Sequence, residues 1–267
     1  MRVLFASGGT GGHIMPVVAV KHELEQIAQE QGFPVEFLFV GHVDDIGKKI
    51  LEENAIPYKT VYAGKLRRYF SLDNFTDIFK AIKGFFMSQW YVWRFMPDVT
   101  FGKGGYASVP GTLVSWLYQI PTLIHESDAI PGLANKFLGR FATVVAVAFP
   151  GARDQFPQKK TALVGNMTHL DIREGTKEGA RDAFRLTYEK PVLLVIGGSQ
   201  GARKINQVIW EILPRLTQMM EVIHVVGAKN VKDAERVYRG LATVPSRFQQ
   251  YAGFLSGEMR HAYAASD

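Results

Sequence analysis

Cysteine is absent from the 267 residues, which excludes a disulfide framework, a thiolate metal site and a cysteine nucleophile, and fits a reducing compartment. A long apolar run is missing too. The most hydrophobic stretch, Ala107 to Ile124, is broken by Pro110, Gly111 and Pro121, so it does not read as a membrane span. The short run Val3–Ala6 leads straight into glycines and is too brief for the core of a secretory signal. No Gly-Lys-Ser/Thr closes a glycine-rich loop, which excludes a Walker A phosphate site, and no His-Glu-x-x-His or similar spacing suggests a metal cage. What is present is globular: 47% hydrophobic and 21% charged residues. Lys and Arg (31) exceed Asp and Glu (25) for a net charge of +6, which matters for partners only where it is clustered.

Short β-branched runs alternate with segments of helical period. Val3–Ala6, Val35–Val40, Tyr58–Tyr62, Val99–Phe101, Thr122–His125, Val144–Ala148 and Thr161–Val164 predict strands. Helices are predicted over Val17–Gln31, Asp44–Asn54, Leu72–Phe95, Val109–Tyr118 and Leu133–Phe141. Near Gly165, after a Gly/Pro/Lys-rich passage, the alternation restarts with strands Val192–Ile196, Val222–Val226 and Phe248–Tyr251 and their helices. The expectation is an α/β protein of two Rossmann-like domains with parallel sheets, residues 1–165 and 166–267. With about three strands, the second sheet falls short of the usual 5–6, so this domain is expected to be incomplete at its C-terminal end.

Three glycine loops each join a predicted strand to a predicted helix: Ser7-Gly8-Gly9-Thr10-Gly11-Gly12-His13, Phe101-Gly102-Lys103-Gly104-Gly105-Tyr106 and Gly197-Gly198-Ser199-Gln200-Gly201-Ala202. Such loops let backbone N–H groups at a helix start approach an anion. The first lacks the Gly-x-Gly-x-x-Gly spacing, and no acidic residue ends the second strand, so a dinucleotide site is not indicated. Lys103 either neutralises a phosphate or is solvated; Tyr106 either meets a sugar or packs. Glycine loops at strand C-termini in both halves predict a crevice for a phosphorylated ligand, a nucleotide derivative by class.

Four motifs in order carry a resemblance: Gly8-Gly9-Thr10-Gly11-Gly12-His13, Gly102-Lys103-Gly104-Gly105-Tyr106, His125-Glu126-Ser127-Asp128-x-x-Pro131-Gly132-Leu133-Ala134-Asn135-Lys136 and Gly197-Gly198-Ser199-Gln200-Gly201-Ala202. Together they resemble the MurG family, transferases that add N-acetylglucosamine from UDP-GlcNAc to the undecaprenyl-diphosphate-linked muramyl-pentapeptide of peptidoglycan synthesis. The resemblance implies a GT-B fold with an N-terminal acceptor domain that associates with the membrane and a C-terminal donor domain. It further implies inverting transfer with no cofactor or metal, at the cytoplasmic face of the inner membrane as a peripheral protein. Carried over by motif, His13 and Glu126 fall on catalytic positions. Gly104, Gly105, Tyr106, His125 and Asn135 fall on acceptor positions, and Thr10, Gly11, Gly12, Asp128, Ser199, Gln200, Asn206 and Leu255 on donor positions. Asp128 stands where the family has Asn, which removes an amide donor. Gly165-Asn166-Met167-Thr168-His169 replaces a common Gly-Asn-Pro-Val-Arg, and with it a permanent bidentate charge. The family's ribose- and uracil-contacting segment lies beyond Asp267. Two other readings remain open here: a GT-B UDP-sugar transferase with another lipid acceptor, and a non-catalytic module that binds lipid diphosphate or sugar nucleotide.

A single inverting displacement needs a general base and a stabilised leaving group. His13, at a strand end and helix start, is either that base or a ligand of the acceptor diphosphate. Glu126 is either a rival base or the cap of the following helix, and Asn135 bonds either the acceptor or its own loop.

Tyr69 to Phe95 holds ten of the chain's 32 aromatic residues. At helical spacing Phe75, Phe79, Ile82, Phe86, Trp90 and Trp93 share one face, which is expected to pack on the sheet. Met87, Tyr91 and Phe95 face elsewhere beside Lys80, Lys83 and Arg94, with Lys65, Arg67 and Arg68 just before. Those aromatics and cations are the expected contact with an anionic membrane surface. Nucleic acid is not an expected partner, because no basic stripe or recognition motif accompanies them.

Overall fold

The computed structural model describes residues 1–8, 11–64, 73–167, 170–198, 201–240, 249–252 and 257–267, with backbone alone for 11, 73–76, 170–171 and 249–252. The chain divides into two compact units, Met1–Thr168 and His169–Asp267.

Unit 1 runs β1 (Arg2–Ser7), α1 (Gly11–Gln31), β2 (Glu36–Gly41), α2 (Asp45–Glu53), β3 (Tyr58–Thr60), α3 (Asp73–Phe95), β4 (Val99–Gly104), α4 (Val109–Leu117), β5 (Thr122–Glu126), α5 (Leu133–Leu138), β6 (Val144–Val147), α6 (Pro150–Arg153) and β7 (Thr161–Leu163). The strands form a parallel sheet in the order β3-β2-β1-β4-β5-β6-β7. Successive side chains of a strand point to opposite faces. Val3 and Phe5 of β1 therefore pack with Ile14 and Val17 of α1 on one face, while Leu4 packs with Val92 of α3 and Val114 of α4 on the other. The strand order reverses between β1 and β4, and the crevice of an open α/β sheet opens at the strand C-termini there. Both glycine loops of this unit lie at that point.

Helix α1 begins at Gly11, six residues before the predicted Val17, and runs through Pro16. Proline removes one donor and disfavours the helix interior, but here the carbonyl it leaves unbonded is that of Gly12, an exposed residue in the first turn.

The predicted burial of α3 is inverted. Phe79, Ile82, Phe86, Trp90 and Trp93 are between 50% and 63% exposed, whereas Met87, Tyr91 and Phe95 pack partly buried against Leu4, Leu38, Val40 and Val114. The side chain of Phe75 lies outside the described residues, as do Lys65, Arg67 and Arg68. Close backbone approach explains the inversion. A Cβ on Gly84 would stand 1.8 Å from the Tyr62 carbonyl oxygen, so the helix meets the segment after β3 through its small residues. A row of indoles and phenyl rings does not fit there. Lys80 pairs with the buried Asp77 at 2.8 Å, Lys83 lies 4.2 Å from the Tyr62 ring centre, and Arg94 is exposed.

Unit 2 contains α7 (Lys177–Phe184), β8 (Val192–Ile196), α8 (Arg203–Met219), β9 (Glu221–Val225), α9 (Val231–Gly240), β10 (Gln249–Ala252) and α10 (Met259–Ala265). Its parallel sheet has the order β10-β9-β8 among the described residues. Ile223 and Val225 of β9 pack toward α7 and α10, and Val222 toward α8 and α9. Both units are thus Rossmann-like and layered α/β/α, the second with a partial sheet.

Candidate functional site

The loops after β1 and β4 are tied together where the strand order reverses. The Gly8 N–H donates to the Gly104 carbonyl at 3.1 Å, and the Ser7 hydroxyl donates to the His13 carbonyl at 3.2 Å. His13 thereby projects from the first turn of α1 between the two loops. A Cβ on Gly8 would stand 2.9 Å from His13 Cδ2, and one on Gly105 3.4 Å from His13 Nε2. Gly104 has φ +96°, and a Cβ there would meet the Asn135 amide nitrogen at 2.6 Å. These glycines make room for the imidazole and the amide.

A cavity of about 700 Å³ opens beside these loops. His13, Lys103, Gly105, Tyr106, Glu126, Asp128 and Asn135 line it, so the structure gathers these predicted positions in one place. Tyr106 and Asp128 are exposed at its rim. Burial pushes the His13 pKa below its ordinary 6.5, and the Lys103 cation pushes it further; Asp128 and Glu126 oppose the shift. His13 is therefore neutral near pH 7 and able to accept a proton. Lys103, 2% exposed, is likewise lowered by desolvation, against the pull of Glu126 and Asp128. The sequence left its role open between phosphate and solvent. Burial rules out the solvated alternative, and periodicity carries no signal for it, because the glycines around Lys103 give its strand no alternation to read.

Glu126, open in the sequence between a rival base and a helix cap, holds its own loop and the start of α5 in the structure. Its carboxylate accepts from the N–H groups of Asp128 (2.9 Å) and Gly132 (3.0 Å) and from the Asn135 amide (3.1 Å). With three lone-pair sites occupied and 4% exposure, it holds the 127–132 loop and the start of α5. Asn135, 4% exposed, also donates to the His125 carbonyl, while its Oδ1 has no partner among the described residues.

His125 is 1% exposed, is not part of this cavity's lining, and its Nε2–H donates to the Gly165 carbonyl at 3.0 Å. It fastens the segment after β7. Gly11 and Gly12 form the first turn of α1, while Thr10, Ser199, Gln200 and Leu255 lie outside the described residues.

In unit 2, Asn206 is fully buried. Its amide donates to the Val226 carbonyl at 2.8 Å, and its Oδ1 accepts from His224 Nε2 at 3.0 Å. His224 Nδ1 accepts from the Tyr238 hydroxyl at 3.3 Å. This network holds the ring neutral, and burial drops the His224 pKa to about 4. Between pH 6.5 and 4 the unfolded chain binds a proton here that the folded unit refuses, so stability falls as pH is lowered through that window. The loss approaches roughly 3 kcal/mol near pH 4. Urea unfolding at pH 7.5 and 4.5 should show it, and His224→Gln should flatten the difference. An equal pH response in that variant would exclude His224 as its source.

The chain matches the glycosyltransferase family 28 N-terminal domain over residues 3–147 and the family's C-terminal domain over residues 192–267. A Bacillus cereus relative is 34% identical over 266 residues, covering 100% of this chain and 72% of that protein. It is named UDP-N-acetylglucosamine--N-acetylmuramyl-(pentapeptide) pyrophosphoryl-undecaprenol N-acetylglucosamine transferase 2. A Lachnospira eligens transferase of the same name, without the numeral, is 35% identical and covers 99% of this chain and 71% of its own. Among solved structures, Acinetobacter baumannii MurG superposes with a TM-score of 0.64 at 27% identity, covering 99% of this chain and 69% of that one. UDP-GlcNAc 2-epimerase from Neisseria meningitidis, bound to UDP-GlcNAc, superposes at 0.63 with 14% identity over 100% of this chain and 76% of that one, a likeness of fold alone.

Proposed function

The chain belongs to glycosyltransferase family 28, and within it to the MurG family; from that premise we propose that it moves N-acetylglucosamine from UDP-GlcNAc to undecaprenyl-diphosphate-linked muramyl-pentapeptide with inversion. The observation that carries the reading is the neutral, half-buried His13 held between two glycine loops in a cavity shared with Lys103. In this reading unit 1 takes the acceptor and unit 2 the sugar nucleotide. His13 accepts the proton of the attacking sugar hydroxyl as the anomeric C–O bond to UDP breaks. Backbone N–H groups of the glycine loops and the Lys103 ammonium offset diphosphate charge. Tyr106 and Gly104-Gly105 border the acceptor, and Asn135 positions it. Gly11, Gly12 and Asp128, together with Thr10, Ser199, Gln200 and Leu255, are assigned to the donor by motif.

The test is transfer of labelled N-acetylglucosamine from UDP-GlcNAc to the lipid-linked muramyl-pentapeptide in detergent. A disaccharide product with inverted configuration is expected. Binding of both substrates without turnover would sink the enzymatic reading, and transfer to a lipid-linked sugar lacking the muramyl-pentapeptide in its place would sink the acceptor assignment.

For a lipid acceptor the protein must reach a bilayer. No helix among the described residues is long and apolar enough to cross one; in this reading docking is at the surface, from the cytoplasmic face. The contact is the exposed row Phe79, Ile82, Phe86, Trp90 and Trp93, flanked by Lys83 and Arg94, rather than Met87, Tyr91 and Phe95. Trp90→Glu combined with Phe86→Glu should lower co-sedimentation with anionic vesicles about tenfold or more. Neutralising Lys83 and Arg94 to Gln should lower it about 10- to 30-fold. Equal binding by these variants and the unaltered protein would refute this surface.

A further inference from the structure

The cavity of unit 1 has two unlike halves. Lys103, His13, Glu126, Asp128 and Asn135 supply polar lining, and the apolar lining comes from Ile82 and Phe85 of α3, Leu113 of α4, and Leu133 and Phe137 of α5. Lys103 is 2% exposed and forms no hydrogen bond or ion pair with any described residue. Desolvation disfavours its charged form, so its site fits a ligand that brings negative charge. Glu126 and Asp128 attract the ammonium without forming an ion pair with it: Glu126 accepts from three N–H groups, and Asp128 is exposed. A free diphosphate would satisfy Lys103 but gain nothing from walls of Phe, Leu and Ile. Those walls remain open: Leu133 is 50% and Phe137 42% exposed, and Ile82 belongs both to the cavity and to the exposed apolar row of α3. The apolar path therefore continues from the buried cation to the outer surface. At about 700 Å³ the space suits a ligand with both a head and part of a tail.

We propose that the apolar half of this cavity, between α3 and α5, grips the isoprenoid units adjoining the acceptor's diphosphate, with Lys103 as the buried counter-charge to that diphosphate. The inference rests on the transferase reading, from which it takes the polyprenyl diphosphate. The first units of the lipid leave the bilayer and lie against Phe85, Leu133 and Phe137 while the sugar reaches His13. Moving isoprenoid from lipid to such walls exchanges one apolar setting for another, so the charge contact holds the acceptor in place. In water, burial of the tail adds to it.

Calorimetric titrations with farnesyl diphosphate, inorganic diphosphate and farnesol test this without any sugar nucleotide. Farnesyl diphosphate should bind at least about tenfold more tightly than either other probe. Lys103→Met should weaken it about 10- to 100-fold and leave farnesol unchanged. Leu133→Asp should weaken it about tenfold and leave inorganic diphosphate unchanged. Thermal melts check folding, and Lys103→Gln and Leu133→Gln replace any variant that fails. Equal affinity for farnesyl and inorganic diphosphate, or no effect at Lys103, overturns the proposal. Because turnover is not read, failed sugar transfer alongside the expected titrations would overturn the transferase reading and leave the groove assigned.

Discussion

Replacing His13 with glutamine is expected to lower kcat for N-acetylglucosamine transfer by about 10²–10⁴-fold, the usual worth of a positioned general base. Glutamine retains a hydrogen-bonding end but cannot take the proton. The ring's place between Gly8 and Gly105 leaves space for little else, so the loss should come without a change in fold. The pH dependence follows from the direction of the shift. A base works when unprotonated, and burial together with Lys103 lowers the His13 pKa below 6.5. The acid limb of kcat/KM should therefore fall below pH 6.5, with activity declining as pH drops through it. Lys103→Met removes a cation that lowers this pKa, so the limb should move upward. A variant in which acceptor KM rises while kcat holds would make His13 a ligand of the acceptor and not the base.

Glu126→Ala carries the second large effect. Three N–H donors, from Asp128, Gly132 and Asn135, lose their acceptor in a nearly buried setting. Each unsatisfied buried donor costs about 1–3 kcal/mol. With partial relaxation of the exposed loop, unit 1 should lose about 3 kcal/mol of unfolding stability. Turnover should fall too, because Asn135 and the loop lose their anchor. Glu126→Gln keeps one acceptor oxygen and should recover part of the stability while retaining the acid limb assigned to His13, moved downward because Glu126 raises the His13 pKa. Denaturant unfolding and a pH profile check both statements. Should Glu126→Gln erase the acid limb at unchanged stability, Glu126 would be the base after all.

The strand–helix alternation is a local pattern, and among the described residues it survives into the structure with shifts of a few residues. The α1 start is the exception: the helix begins at Gly11 and runs through Pro16, which frees only the carbonyl of the exposed Gly12. His125, Glu126 and Asn206 were legible as polar residues at strand ends and helix starts. Their partners were not, since the Gly165 carbonyl lies 40 residues from His125 and the Val226 carbonyl 20 from Asn206. A buried polar group satisfied by distant backbone and one waiting for a ligand look alike in sequence.

By itself the sequence determined the α/β class, the two Rossmann-like halves and the placing of His13 and Lys103 beside glycine loops, because strand period, turn chemistry and motif order are written in neighbouring residues. Only the tertiary structure decided which side of α3 faces water. That helix is apolar on most of its circumference, so hydrophobic periodicity gives no single direction, and the contact of Gly84 with the Tyr62 carbonyl settles the choice by shape. The same packing that turns small residues inward leaves Phe86, Trp90 and Trp93 outside and sets Ile82 and Phe85 along the cavity.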